Sequence, residues 1–331
     1  MSYSQESDQT EQEIKEASEI VKKILNETQK RIVGQTQISR RLITAILAQG
    51  HVLLEGLPGL AKTTAIRTLS EASTLSFKRI QFTPDLLPAD LIGTQIYDQG
   101  TGEFRVKKGP VFAHLVLADE INRAPAKVQS ALLEAMEERQ VTIGPKSWEL
   151  EEPFLVMATQ NPVEQEGTYP LPEAQLDRFL FKLIVDYPKM DEEEIIIKRA
   201  ANPQSIQIDK VVQKQDLRRL STLANKIFVS DKIRRYIVEL IHATRFPAAR
   251  NIKDLEALIE TGASPRASIA LDKVARVNAL IEGRNFVTPQ DIKDIGHDIL
   301  RHRIKLSFEA EAENVSVDQV INRIFERVDV P

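Results

Sequence analysis

Short apolar runs and amphipathic stretches alternate along the first part of the chain. Five runs of mainly apolar residues are typical of buried parallel strands, and they cover residues 51–55, 77–82, 115–118, 154–158 and 179–185. Apolar positions at helical spacing predict helices over residues 62–72 and 126–139, and two earlier helices over 13–28 and 35–49. Strands that alternate with helices predict an α/β domain with a mainly parallel, five-stranded, doubly wound sheet.

The periodicity changes near residue 188. Beyond this point apolar positions recur only at helical spacing, over residues 191–200, 215–227, 230–244, 264–281 and 288–304. Ser230 and Thr288 are suited to begin helices, and Gly283 is suited to end one. We therefore predict a disordered segment at 1–12, which offers few apolar side chains to bury, an α/β core at 13–187 and an all-α domain at 188–331.

Two stretches of the core predict β-hairpins. Residues 84–109 contain two short segments of alternating polarity around a glycine-rich turn at 98–102. A second hairpin is predicted at 140–150, with its turn at 144–146. Either hairpin could contact a client protein, or both could be decorations at the edge of the sheet.

Composition and charge narrow the classes of protein. The 331 residues are 42% hydrophobic and 28% charged, which is typical of a soluble globular protein. The net charge of −4 provides no general attraction to nucleic acid or to anionic membranes. The absence of cysteine excludes disulfides and thiol catalysis. No apolar run is long enough to span a bilayer and the N-terminus is polar, so we expect a cytoplasmic protein without membrane insertion or nucleic-acid binding.

The turn between the first predicted strand and the helix at 62–72 matches a phosphate-binding loop. Its residues are Gly56, Leu57, Pro58, Gly59, Leu60, Ala61, Lys62 and Thr63, and Thr64 follows them. Backbone N–H groups would surround the phosphates, Lys62 would neutralise their oxygens, and Thr63 would place its hydroxyl on Mg²⁺. Ala61 stands where the generic pattern has glycine, so the loop must close with Ala61 near-helical. The loop predicts binding of ATP and Mg²⁺; the alternative is an ordinary turn rich in glycine and proline.

Two other predicted strands end in polar residues. The strand at 115–118 is followed by Asp119 and Glu120, and the strand at 154–158 leads to Asn161. Carboxyl ends of parallel strands meet at one edge of a sheet, where ligands bind. Asp119 would hold Mg²⁺ through water, Glu120 would activate the attacking water, and Asn161 would hold that water or contact the γ-phosphate. Taken alone, each of these residues could equally be the solvated end of a strand or a turn residue.

These strand ends, in this order, resemble those of the AAA+ ATPases. Residues 56–63 resemble Walker A, Asp119 and Glu120 resemble Walker B, and Asn161 resembles sensor 1. Five separated blocks are similar to the MoxR branch, in which alanine before the lysine is usual. The blocks are residues 57–63, 118–124, 132–138, 158–162 and 171–179. The resemblance runs from about residue 34 to residue 303.

The resemblance implies further site residues and an architecture. Gly34 and Gln35 match the segment on the adenine side of the nucleotide, and Arg178 matches the arginine finger that reaches ATP on a neighbouring subunit. The alternative for Arg178 is a surface arginine paired with Asp177 or Glu173. Arg266 matches sensor 2, at the start of a helix in the lid, and the alternative is an arginine on the surface of that helix. The fold implied is an AAA+ P-loop NTPase core followed by an all-α lid, with the hairpin at 84–109 as the helix-2 insert. Nucleotide would bind between neighbouring subunits of a ring, and the expected number of subunits is six.

The resemblance also implies a biological role. MoxR-type proteins act as chaperone-like factors in the assembly or activation of protein complexes, often with a partner that bears a von Willebrand factor A domain. One alternative is the ATPase subunit of a metal-inserting chelatase, which shares the insert. A nucleotide-gated binding module with little turnover is another, although such a switch could dispense with Glu120 and Arg178. A nucleic-acid helicase is disfavoured because the net charge of the chain is negative.

Overall fold

The computed structural model describes residues 3–56, 62–162, 167–201 and 206–331, with side chains described from Thr10 onward. These residues divide into two compact units. The larger unit is Lys22–Arg219, and the smaller unit combines the chain up to Val21 with Leu220–Pro331. The domain boundary predicted at 187/188 follows Val185, the end of the last strand of the sheet. The chain passes from the larger to the smaller compact unit later, between Arg219 and Leu220.

The larger unit contains nine strands within the described residues. They are β1 (Val52–Gly56), β2 (Phe77–Gln81), β3 (Gly93–Asp98), β4 (Glu103–Lys108), β5 (Leu115–Asp119), β6 (Gln140–Ile143), β7 (Lys146–Glu149), β8 (Leu155–Gln160) and β9 (Phe181–Val185). Eight α-helices in the described part of the chain belong wholly or partly to this unit. They are α1 (Tyr3–Gln29), α2 (Thr36–Leu47), α3 (Lys62–Glu71), α4 (Pro88–Ile92), α5 (Ala126–Glu138), α6 (Glu173–Leu176), α7 (Met190–Ala201) and α8 (Lys214–Ala224).

Five of these strands form one parallel sheet in the order β2-β5-β8-β1-β9. Consecutive residues of β1, from Val52 to Leu54, are fully buried, so both faces of the sheet are covered. On one face, Val116 and Val156 pack in a cluster that includes Leu132 of α5. Burial on both faces explains the continuous apolar runs in the sequence. The prediction of a parallel, doubly wound, five-stranded sheet is confirmed.

A buried histidine ties β1 to its neighbours. Nδ1 of His51 accepts a hydrogen bond of 3.0 Å from the N–H of Val156, so Nε2 carries the proton and donates to the carbonyl oxygen of Met136 at 3.1 Å. The ring also packs edge-on against Phe154, with 5.5 Å between ring centroids. His51 therefore joins β1, β8 and α5 at the edge of the sheet opposite the carboxyl ends of the strands.

Replacing His51 with phenylalanine is expected to lower the free energy of unfolding by about 2–4 kcal/mol, because a buried N–H and a buried carbonyl lose their partner. Urea unfolding followed by circular dichroism measures the change. His297→Phe is the matched control, since the hydrogen bond from His297 to Asn322 is exposed. Equal losses in both variants would contradict a structural role for the buried imidazole.

Two antiparallel hairpins project from the larger unit. β3 pairs with β4, and β6 pairs with β7, in the positions that the sequence predicts. Tyr97 and Phe104 lie opposite each other on the first hairpin, with their side chains more than half exposed. The hairpins are in contact, because the ammonium of Lys108 on β4 lies 5.1 Å from the centre of the Trp148 ring on β7. Lys146 contacts the same ring at 4.5 Å.

The smaller unit is mainly helical. Its helices are α9 (Asp231–Arg245), α10 (Pro265–Ile281), α11 (Pro289–Leu300), α12 (Phe308–Ala312) and α13 (Val317–Arg327). The Ser230 hydroxyl accepts from the N–H of Ile233 at the start of α9, and the N–H and hydroxyl of Thr288 both donate to Oδ2 of Asp291 at the start of α11. Both predicted helix starts are therefore confirmed.

The structure differs from the sequence-based expectation at two places. We expected residues 1–12 to be disordered, whereas α1 begins at Tyr3. Glutamate and glutamine favour helix, and a helix already packed from Ile14 onward extends at little cost. The second difference is a short ribbon of β10 (Ile259–Thr261) and β11 (Lys305–Leu306) in the helical region. Strands of two or three residues are too short to show an alternating pattern.

Within the described residues, no helix combines the length and the apolar content that crossing a membrane requires.

Candidate active site

β1 and α3 frame the predicted phosphate loop. β1 ends at Gly56 and α3 begins at Lys62. The predicted loop residues between them lie outside the described residues, and they are Leu57, Pro58, Gly59, Leu60 and Ala61. A Cβ atom on Gly56 would lie only 2.6 Å from the carbonyl oxygen of Val185 on β9. Glycine at this position therefore lets the end of β1 approach β9 closely.

Lys62 brings a partly buried positive charge to the end of β1. Its Nζ donates a hydrogen bond to the carbonyl oxygen of Gly56. Burial lowers the pKa of the Lys62 ammonium, and the negative charges of Asp119, Glu120 and Glu55 offset part of that shift. Phosphate oxygens beside Nζ would favour the charged form further. Lys62 is therefore placed to bind an anion, and the carboxylates of Asp119 and Glu120 lie near its ammonium.

Thr63 and Thr64 occupy the first turn of α3, directly after Lys62, and both are half-buried. The first N–H groups of a helix have no partners within the helix and attract anions. The start of α3 thus offers N–H donors and two hydroxyl groups at the carboxyl edge of the sheet.

Asp119 is the last residue of β5, and two neighbouring strands hold its carboxylate. The hydroxyl of Thr159 on β8 donates to Oδ1 at 2.7 Å. Arg79 on β2 donates to Oδ2 from Nε at 3.1 Å and from Nη2 at 2.5 Å. Asp119 is therefore held in one orientation by groups on both sides of β5.

Glu120 follows β5 in a left-handed backbone conformation, with φ 57° and ψ 51°. Its N–H donates to the hydroxyl oxygen of Thr159 at 2.9 Å. Its Oε2 accepts from Nε2 of Gln81 at 2.8 Å and from Nη1 of Arg123 at 3.0 Å. Since the same hydroxyl donates to Asp119, one threonine positions both acidic residues. The left-handed turn separates the directions of two adjacent carboxylates.

Asn161 directly follows β8, which lies between β5 and β1 in the sheet. The register pairs Glu55 of β1 with Gln160 of β8, so Asn161 is level with Gly56. The structure therefore brings Gly56, Asp119 and Asn161 to one edge of the sheet, as the sequence predicts.

Gly34 and Gln35 lie immediately before α2, and both have left-handed backbone conformations. A Cβ atom on Gly34 would lie 2.5 Å from Oε2 of Glu192, at the beginning of α7. The positive φ disfavours a side chain at Gly34, and a Cβ atom there would also displace the flexible end of Glu192. Oε1 of Gln35 is buried and accepts no hydrogen bond from the described residues.

Arg178 lies between α6 and β9, and its guanidinium is paired with an acid on α5. Nε of Arg178 is 3.0 Å from Oε2 of Glu137, and the Arg178 side chain is 31% exposed. The sequence suggested Asp177 or Glu173 as the partner in a purely structural role. The structure instead provides Glu137, which is distant along the chain.

Arg266 is the second residue of α10, in the smaller unit, and it is exposed. The Ser264 hydroxyl caps this helix by accepting from the N–H of Arg266 at 3.2 Å. Its place in the first turn of a helix agrees with the sequence-based expectation. Its role toward nucleotide remains a prediction.

Sequence reasoning gave no role to four polar side chains that contact the two acidic residues: Arg79, Gln81, Arg123 and Thr159. Arg79 and Gln81 alternate along β2, and Arg79 also donates to the amide oxygen of Gln81 at 3.1 Å. The sequence does contain a sign of them: Arg79 and Gln81 are two residues apart, so they share one face of a strand that we predicted from its apolar residues. Thr159 is almost completely buried and directly precedes the polar end of β8.

The residues at this edge fit a magnesium–nucleotide complex. The Thr63 hydroxyl and the Asp119 carboxylate are the hard oxygen donors that Mg²⁺ prefers, and Mg²⁺ usually takes only one or two ligands from the protein besides phosphate oxygens. Lys62 and the start of α3 suit the phosphates. A parallel sheet with β1 between β8 and β9, a lysine at the start of the next helix and acids at the end of a nearby strand define a P-loop nucleotide-binding protein.

Comparison with known proteins identifies the family within this class. Residues 51–181 match the family described as ATPase family associated with various cellular activities (AAA). Residues 253–324 match the AAA lid domain. The chain is 50% identical to Chaperone MoxR1 of Mycobacterium tuberculosis, an alignment that covers 92% of this chain and 81% of that protein. It is 45% identical to the uncharacterised protein YeaC of Bacillus subtilis, over 91% of each chain.

A solved structure agrees with these relatives. The crystal structure of a protein from Cytophaga hutchinsonii, described as a candidate ATPase, superposes with a TM-score of 0.92 at 48% identity. The match covers 99% of this chain and 98% of that one. The chain belongs to the MoxR family of AAA+ ATPases. The predicted α/β core and helical lid, and the resemblance to the MoxR branch, are thereby confirmed.

Proposed function

We propose that the chain binds ATP with Mg²⁺ at the carboxyl edge of the sheet and hydrolyses it there. The observation that carries the proposal is the placement of Lys62, Asp119 and Glu120 at one edge, with the Thr159 hydroxyl bonded to both acidic residues. Mg²⁺, held by the Thr63 hydroxyl and, through water, by Asp119, would neutralise charge that develops on the phosphates. Membership of an ATPase family supports the proposal.

The side chains around the γ-phosphate would divide the work between binding and proton transfer. Lys62 would bind the β- and γ-phosphate oxygens, and Glu120 would accept a proton from the attacking water. Hydrogen bonds from Gln81 and Arg123 fix the Glu120 carboxylate, so little reorganisation is needed when water arrives. Asn161 would orient the same water or contact the γ-phosphate.

Recognition of the base would fall to the segment before α2. The buried Oε1 of Gln35 is an acceptor without a donor in the described residues, and the exocyclic amine of adenine supplies such a donor. Gly34 would supply the left-handed backbone turn that places Gln35 beside the base. In the smaller unit, Arg266 would act as sensor 2.

The active site would be completed by a second copy of the chain in a ring, with six members as the expected number. Arg178 of one subunit would contact the γ-phosphate held by its neighbour, where a planar, permanently charged guanidinium stabilises the charge of phosphoryl transfer. In the single chain the Arg178 guanidinium is paired with Glu137, so a neighbour's γ-phosphate would bind the guanidinium beside this carboxylate or in its place.

Mixing two inactive variants tests the shared site. Arg178→Ala and Lys62→Ala should each release almost no phosphate from ATP, whereas mixed rings should regain activity in roughly one quarter of their sites. A regained site combines the intact Lys62 of one subunit with the intact Arg178 of the next. Phosphate release is measured after subunit exchange, which is checked with differently labelled chains. Mixed rings that stay inactive would contradict action of Arg178 across the interface.

The biological role that we propose is that of a chaperone-like factor that remodels or matures protein complexes. A relative of this chain is named a chaperone, and this supports the proposal. The exposed Tyr97 and Phe104 on the first hairpin are suited to bind a protein client or a partner with a von Willebrand factor A domain. The cytoplasmic location expected from the sequence stays a prediction.

A further inference from the structure

Asp119 has a positively charged partner within its own chain. Nε and Nη2 of Arg79 both donate to Oδ2 of Asp119, at 3.1 and 2.5 Å, while the Thr159 hydroxyl donates to Oδ1. Both oxygens of the carboxylate are therefore engaged in the described structure. Oδ2 is held by a cation, and Oδ1 is held by a neutral group.

We propose that Arg79 competes with the metal ion for Asp119. The guanidinium neutralises Oδ2 in the absence of a metal–nucleotide complex and leaves Oδ2 when that complex binds. This inference rests on the proposed function, in which Asp119 holds Mg²⁺ through a bound water. A divalent cation and a guanidinium repel each other when they share one carboxylate, so binding of the metal favours release of Arg79 from Oδ2.

The exposure of the two side chains determines which one moves. The Arg79 side chain is 51% exposed and the Asp119 side chain is 18% exposed. β2 is an edge strand of the sheet, so the guanidinium can turn toward solvent without opening a cavity. Asp119 stays in place, because Thr159 holds Oδ1 from the buried strand β8. The carboxylate is thus a fixed ligand, and Arg79 is a removable counter-ion.

Arg79 is expected to make metal binding by the natural chain moderately weaker than binding by a variant that lacks the guanidinium. An ion pair with a half-exposed partner is weak in water, and salt screens it further. Removing the guanidinium should therefore tighten metal binding about two- to fivefold at low ionic strength, with a smaller gain at high ionic strength. Arg79→Lys keeps the charge on a more hydrated group, so its metal affinity should lie between that of the natural chain and that of a variant without a charge at this position.

Manganese binding in the presence of saturating ADP tests the proposal, with free Mn²⁺ measured by electron paramagnetic resonance. Arg79→Met should bind Mn²⁺ more tightly than the natural chain. Lys78→Met is the matched control: it removes the same charge from the adjacent residue of β2, which is exposed and points to the opposite face of the sheet. Arg79→Gln is a second variant, in case methionine at a half-exposed position impairs folding.

Equal Mn²⁺ affinities in Arg79→Met and Lys78→Met would overturn the proposal. Weaker Mn²⁺ binding in Arg79→Met than in the natural chain would also overturn it, because Arg79 would then be a positioning residue. Asp119→Asn separates this result from failure of the proposed function. If Asp119→Asn leaves Mn²⁺ affinity unchanged, the assignment of the metal to Asp119 fails and the inference fails with it. If Asp119→Asn weakens binding, Arg79→Met should have no further effect in the Asp119→Asn background.

Discussion

Replacing Glu120 with glutamine is expected to leave ATP binding intact while lowering its turnover by about 10²–10⁴-fold, the usual contribution of a general base. Glutamine has nearly the same shape as glutamate, and its amide oxygen can still accept a hydrogen bond from Gln81 or Arg123. What it lacks is the ability to take a proton from water. The loss should therefore appear in the rate of phosphate release and not in the affinity for ATP.

Steady-state phosphate release and binding of a fluorescent ATP analogue measure the two quantities for Glu120→Gln. Glu326→Gln, an exposed glutamate on α13, serves as the control for the change in charge. Unchanged turnover in Glu120→Gln would remove the water-activating role from this residue. A variant that binds ATP without hydrolysing it also remains in one state for longer, so it is suited as bait to test for the protein client or partner that we propose.

Replacing Lys62 with alanine is expected to weaken nucleotide binding by about 30-fold or more, because the phosphates lose a charge-assisted contact in a partly buried site. The fold should tolerate the change. Burial lowers the pKa of Lys62, which means that the folded chain disfavours the ammonium when no ligand is present. Alanine removes that unfavourable charge, so thermal stability should stay equal or rise slightly.

Titration of Lys62→Ala with a fluorescent ATP analogue, alongside a thermal unfolding curve, tests both parts of this expectation. Lys78→Ala is the control, since it removes an exposed lysine from β2. Nucleotide binding of normal strength in Lys62→Ala would contradict the assignment of the phosphate loop. Loss of binding together with unfolding would contradict the stability argument.

The sequence predicted the sheet and the placement of the candidate site residues at one edge of it, because both follow from local patterns. Strands buried on both faces have continuous apolar runs, and Asp119 and Asn161 stand at the ends of such runs. The order of strands in a parallel sheet then places these ends together. Lys62 and Thr63 follow a loop pattern whose context, a strand before and a helix after, could also be identified in the sequence.

The rest depended on contacts between distant residues, which have no local signal. Arg79 is paired with Asp119, and Arg178 with Glu137, although each pair is separated by about forty residues along the chain. An exposed arginine on a strand has many potential partners, and only the register of β2 against β5 selects Asp119. The hydroxyl of Thr159 was missed for a similar reason, since a threonine in a strand is ordinarily explained by its β propensity.

The contact between Trp148 and two lysines gives the chain an intrinsic optical signal. The sequence contains a single tryptophan, so all indole emission comes from this one ring. Lys146 belongs to the same hairpin as Trp148, whereas Lys108 belongs to the other hairpin. Indole emission responds to nearby charge, and separation of the hairpins would remove one of the two ammonium groups from the ring. The unlabelled protein could thus report by its own fluorescence when a partner displaces the first hairpin.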